Sequence, residues 1–161
     1  MGRDGDQHTE AVERAMVTLR RSQSRRTLAR LAARQPTGPG GDRGAVTPAV
    51  EVLDAIEEAE EAASPATVTS VAAALGIDQP RASKLVASAV AAGLVRREAD
   101  QADGRRALLV RTPAGRRLSA EVHAFRREVA EHAMADWPAD DRAEFARLLT
   151  RFVASLGAAT R

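Results

Sequence analysis

Between Thr69 and Thr112 the chain runs TSVAAALGIDQPRASKLVASAVAAGLVRREADQADGRRALLVRT, an order of residues that leaves few folds open. Thr69 is placed to cap a helix of about two turns that closes at Gly76, a residue suited to the left-handed position after a helix. Asp78 caps a second helix, from Gln79 to Ala92, and Gly93 stops it. Leu94–Glu98 and Arg106–Arg111 have strand character, and Asp103-Gly104 between them is a strong hairpin signal. The expected unit is a helix, a tight turn, a second helix and an arginine-rich hairpin.

Helices flank this unit. Residues 7–34 read as one long helix whose stripe of Val12, Met16 and Leu19 is interrupted by RRSQSRR and resumed by Leu28 and Leu31. QPTGPGGDRG, at 35–44, is the clearest loop in the chain. Thr47 caps the next helix with Pro48 at its first position, and Val50, Leu53, Ala55 and Ile56 supply its buried side. Ser64-Pro65 ends it, with a short extended piece at Ala66–Val68. Thr112-Pro113 opens a long helix carrying Leu118, Val122, Phe125 and Val129. Asp140 and Asp141 fall in the first turn of a final helix, where the helix dipole favours them. Phe145, Leu148, Leu149, Phe152, Val153 and Leu156 form its apolar stripe.

The overall charge of +2 hides a strong asymmetry. Residues 76–117 carry nine basic against four acidic side chains, whereas residues 47–63 carry six acids (Glu51, Asp54, Glu57, Glu58, Glu60, Glu61) and no base. A basic face therefore stands beside an acidic one, and the basic part coincides with the helix-turn-helix. The absence of cysteine excludes disulfides, thiol redox chemistry and Cys-ligated zinc. No run of about 18 apolar residues exists and MGRDGDQHTE lacks a signal-peptide core, so a soluble, cytoplasmic protein is expected.

At about 100° per residue, the 79–92 helix turns Ala82, Leu85, Val86, Ala89 and Val90 toward the core. Pro80, Ser83, Lys84 and Ala87 point the other way, with Arg81 and Ser88 on the flank. Small residues plus donors near the N-terminal end suit a helix that enters a major groove. Arg81 or Lys84 can donate to a guanine edge, and Ser83 and Gln79 to a base or a phosphate. Arg105 and Arg106 at the hairpin tip suit the negative potential of an adjacent minor groove, with Asp103 placed to orient Arg105. An amphipathic helix with a solvated face and a solubilising turn would account for each part separately, but not for their joint placement.

LGIDQPRASKLVASAVAAGLV followed by DGRRALLVRTPAGRRL resembles the MarR family of bacterial transcription regulators. The wing pattern rests on Asp103, Arg105, Thr112 and Gly115. The resemblance implies a mainly α fold with a small β-hairpin, a winged helix-turn-helix flanked by N- and C-terminal dimerisation helices. The parts would be an N-terminal helix at 1–34, a loop at 35–46, a winged helix-turn-helix at 47–112 and C-terminal helices at 113–161. It also implies a homodimer, a pseudo-palindromic double-stranded DNA operator and a repressor role. The DNA-binding residues would be Thr69, Ser70, Gln79, Arg81, Ser83, Lys84, Ser88, Asp103, Arg105 and Arg106. A small aromatic or lipophilic acid ligand is implied as well, with Arg20, Arg21, Ser24 and Arg25 as candidates to line its pocket. The chain departs from the family pattern in its alanine-rich 70–75 helix, in Arg111 where a leucine usually precedes the Thr, and in the acidic run Glu57–Glu61.

Other classes find less support. No GxSxG, phosphate-binding glycine loop or His/Asp set suggests an enzyme, and no cofactor is expected. His123 and His132 lie nine residues apart on one helix, too far for paired metal ligation, and with His8 are expected to be exposed. The alternative from a different class is a winged-helix protein-interaction module without operator binding.

Overall fold

The computed structural model describes residues 6–19, 21, 46–100 and 107–159. They form α1 (residues 6–19), α2 (Val46–Glu61), α3 (Val68–Leu75), α4 (Gln79–Ala91), β1 (Val95–Ala99), β2 (Ala107–Arg111), α5 (Pro113–Ala133) and α6 (Ala139–Ala159). The two strands make one antiparallel hairpin, so the architecture is mainly helical with a small β element, as expected. The 35–44 loop and the second half of the expected first helix lie outside the described residues, apart from Arg21. Among the described residues no helix is long and apolar enough to cross a membrane. The chain divides into two compact units, Met1–Val122 and His123–Arg161, with the boundary inside α5.

In the first unit α2 is the hub. Val52, Leu53 and Ile56 are almost wholly buried, and α3, α4 and β2 all pack on α2. Their spacing at i, i+1 and i+4 puts a broad apolar side inward and leaves Glu51, Glu58 and Glu61 in water. Full burial of each such aliphatic side chain is worth about 1.5–3 kcal/mol. Val71 from α3, Ala82, Val86 and Ala89 from α4, Val95 from β1 and Leu109 from β2 complete the core. The buried alanines of α4 let its backbone lie close to its neighbours.

Helix ends correct the expectation in two places. The cap of α3 is Thr67, not Thr69: Thr67 is extended (φ −134°, ψ 169°) and its hydroxyl accepts from the Ser70 N–H at 3.1 Å. Ser70 reciprocates, its hydroxyl accepting from the Thr67 N–H at 2.8 Å, which closes a capping box. Thr69 sits one residue inside the helix instead. Likewise α2 begins at Val46, so Thr47 and Pro48 lie within its first turn, where a missing N–H leaves no intrahelical bond unmade. The α2 terminus is made by Ala63 in the left-handed region (φ 49°), with the Ser64 N–H donating to the Ala59 carbonyl at 2.9 Å. Gly76 (φ 61°) and Gly93 (φ 71°) close α3 and follow α4 as their type predicted.

The wing base is locked to α5 through Thr112. Its N–H donates to the Leu94 carbonyl at 3.0 Å and its hydroxyl to the Gly93 carbonyl at 2.7 Å. The same hydroxyl accepts from the Gly115 N–H at 3.1 Å and so caps α5. The Thr-x-x-Gly pattern is thus a joint between the hairpin and the helix that follows it.

In the second unit Arg142 ties the turn before α6 by donating to the carbonyls of Ala135 (2.8 Å) and Trp137 (3.1 Å). Trp137 packs edge-to-face on Phe145, ring centroids 5.3 Å apart. Phe145, Leu148, Leu149, Val153 and Leu156 are all exposed, Val153 at 58%. His8 and His132 are exposed as expected, but His123, one position round the helix from buried Val122, is half-buried.

Candidate nucleic-acid interface

The candidate surface begins at Asp78, whose extended backbone (φ −69°, ψ 156°) presents its carboxylate to the Arg81 N–H at 2.8 Å. That cap and Pro80 in the first turn start α4 sharply. Ala82, Val86 and Ala89 are buried and Leu85 and Val90 half-buried, as the periodicity requires. Gln79, Pro80, Arg81, Ser83, Lys84, Ala87 and Ser88 are exposed. Five expected reading residues (Gln79, Arg81, Ser83, Lys84 and Ser88) thus stand on the solvent side of one helix.

The other expected residues are distributed differently. Thr69 is exposed on α3, whereas Ser70 is half-buried and turns its hydroxyl back on Thr67. Asp103, Arg105 and Arg106 lie outside the described residues, as do Arg20, Ser24 and Arg25. Arg21 is helical and exposed.

Arg97 was not among the expected site residues. It pairs across the hairpin with buried Leu109, so it shares the inward face of the wing, yet it remains exposed at the rim. There it joins Val68, Gln79, Pro80 and Ser83 around one open, shallow depression between the wing and the α4 N-terminus. Period-two alternation from buried Val95 is the signal that could have placed it. Arg96, on the opposite face, is ion-paired with Glu98 at 2.6 Å.

Arg111, at the far end of the same inward face, is only 8% exposed. Its guanidinium lies 2.6 Å from Glu57 Oε1 and 2.6 Å from Glu60 Oε2, and Nη1 donates to Ser119 Oγ at 3.2 Å. Burial acts to lower its pKa, but hydrogen bonds to Glu60 and Glu57 and their charges more than offset it and hold the group above its ordinary value. Two features that stood apart in the sequence, the acidic run of α2 and the arginine in place of a leucine, are one ion-pair cluster.

The order of α3, turn, α4 and hairpin, capped at Asp78 and jointed at Thr112 and Gly115, coincides with a family pattern. Residues 47–106 match the MarR family model. The likeness to the MarR family is carried by this winged-helix segment. The wider fold agrees with MarR structures. A MarR family protein from Bacillus stearothermophilus superposes with a TM-score of 0.74 at 16% identity, over 94% of this chain and 97% of that one. A MepR variant from S. aureus, solved bound to an oligodeoxyribonucleotide, gives 0.57 at 16% identity over 90% and 97%. Bordetella bronchiseptica BpsR, from a structure on regulation of its DNA binding by 6-hydroxynicotinic acid, gives 0.51 at 22% identity over 86% and 98%. At these identities the likeness to each MarR structure is one of fold. No curated protein matches the chain.

Proposed function

We propose that this chain is a homodimeric, sequence-specific DNA-binding transcription regulator acting as a repressor, in which α4 reads the major groove and the wing the adjacent minor groove. The observation that carries the reading is the exposed side of α4. Its cations, Arg81 and Lys84, and the Ser83 hydroxyl lie in the first turns, beside Arg97, Ser88 adds a hydroxyl further along, and no large apolar side chain stands on that side. Such a surface admits close approach to base edges while keeping donors where they reach them. The DNA-bound MepR variant, of the same fold, supports it.

Dimerisation follows from surfaces that water does not favour. Val12, Met16, Val17 and Leu19 are exposed on α1, and α6 exposes five large apolar side chains. A second copy of the chain is the occupant that closes such stripes and pairs two reading heads. We extend the reading to release by a small aromatic or lipophilic acid, with Arg20, Arg21, Ser24 and Arg25 as candidate partners of its carboxylate. The effect of 6-hydroxynicotinic acid on BpsR supports that ligand class.

The test is selection of duplexes from fragmented genomic DNA with the purified protein. A palindromic site is expected. Enrichment of nothing above background would leave the protein-interaction module as the reading.

A further inference from the structure

Arg111 touches neither the exposed side of α4 nor the depression beside it, yet its guanidinium has three side-chain partners, Glu57, Glu60 and Ser119. It is the last residue of β2, and it grips Glu57 and Glu60 on consecutive turns of α2 while donating to Ser119 on α5. Its own carbonyl accepts from Arg116 Nη1 at 2.8 Å. One strand residue above it on the same face, the Leu109 N–H donates to the Ala66 carbonyl at 2.8 Å. These contacts converge on the base of the hairpin. The distal pair, Ala99 and Ala107, is exposed.

A lone two-stranded hairpin is marginal in water and inherits its orientation from whatever holds its base. Ala107 stands four residues from Arg111, about 13 Å along the strand, so a 10° swing at the base displaces it by roughly 2 Å. That exceeds the tolerance of a hydrogen bond. A planar fork held by two carboxylates from one helix fixes both position and rotation, which a leucine packed at the same place would not.

We propose that Arg111, through Glu57 and Glu60, is a positioning residue that sets the pose of the β1–β2 wing on the helix-turn-helix. Its consequence for DNA rests on the DNA-binding reading above; the mechanical role does not.

The experiment uses the full chain with Arg111→Gln, Arg111→Lys and Glu60→Gln, and two readouts. Hydrogen exchange without DNA is expected to show protection of β1 and β2 amides falling about tenfold in Arg111→Gln, with α3 and α4 amides unchanged. On a duplex selected by the wild-type protein, Kd is expected to rise about tenfold, and any fall in the slope of log K against log salt is expected to vanish in an Arg97→Ala background, because Arg97 is the wing cation that a displaced hairpin withdraws. Arg111→Lys keeps the charge without the fork and should recover only part of both effects. Glu60→Gln retains an acceptor oxygen and a smaller loss, about threefold, so it carries the test if Arg111→Gln does not fold. Unchanged wing protection, or loss spread evenly over α2, α3 and α4, would overturn the proposal. So would a slope reduction that persists in an Arg97→Ala background, which would make Arg111 itself a phosphate ligand. If the wild-type protein selects no duplex, the DNA-binding reading falls and hydrogen exchange alone decides the role of Arg111.

Discussion

Gly115 lies so close beneath the carbonyl of Leu94 that a Cβ in its place would stand 2.1 Å from that oxygen and 3.1 Å from Leu53 Cδ2. The first turn of α5 can cross the start of the wing only because no side chain is there. Gly115→Ala is therefore expected to destabilise the fold by about 2–4 kcal/mol, since the obstacle is backbone and cannot rotate away. Urea denaturation measures it; a loss below about 0.5 kcal/mol would contradict the contact.

Ala63 occupies a left-handed conformation that costs an L-residue about 1–2 kcal/mol. Ala63→Gly removes that cost and returns part of it as added freedom of the unfolded chain. A net gain of about 0.5–1 kcal/mol is expected, seen as a higher urea midpoint with an unchanged m value.

Under the proposed function, Arg97 and Lys84 would separate two kinds of DNA contact. Arg97→Ala should weaken all duplexes alike and lower the salt slope by about 0.9, as befits a phosphate ligand at the rim of the wing. Lys84→Ala should instead cost about 1–3 kcal/mol on the selected site and much less on unrelated DNA. Filter binding across a salt series distinguishes them, and identical behaviour of the two variants would count against the division.

Glu144 and Arg147, three residues apart on α6, form a two-pronged pair at 2.7 and 2.8 Å. The hydrogen bond from Arg147 holds the Glu144 carboxyl below its usual range, and Arg147 is raised in turn. A depressed carboxyl contributes stability above its unfolded pKa of about 4.5 and loses it as pH falls through the lower folded value. Both side chains are open to water, so the energy is small, but the titration is measurable. Carbon-detected NMR should find the Glu144 midpoint below 4.5 and Arg147→Ala should move it up; no movement would dissolve the pair.

The elements with strong local punctuation were legible in the chain. Asp78, Gly76 and Gly93 bound α3 and α4 where their chemistry requires, and the buried side of α4 follows from a period of 3.6. Thr67 and Thr69 are indistinguishable by type, and only the reciprocal bond with Ser70 decides which one caps. Arg97 was missed because its surroundings depend on cross-strand register with Leu109 and on the depth of Gln79 and Ser83 beside it. The partners of Arg111 lie up to 54 residues away, at Glu57, and no local periodicity reports an ion pair closed by tertiary packing. Each half looked like an anomaly until the fold joined them.

Under the proposed function, the bare alanines of α4 set a ceiling on how much the protein can ask of a sequence. Beyond Ser88 the exposed side carries only Ala91, so potential base readers, apart from Ser88 itself, are confined to residues 79–84. Six residues of helix span about 9 Å, close to three base-pair steps. Under the proposed function, each half-site would therefore hold few directly read letters. Discrimination among genomic sites would come from the spacing of two such words and from how readily the duplex between them bends.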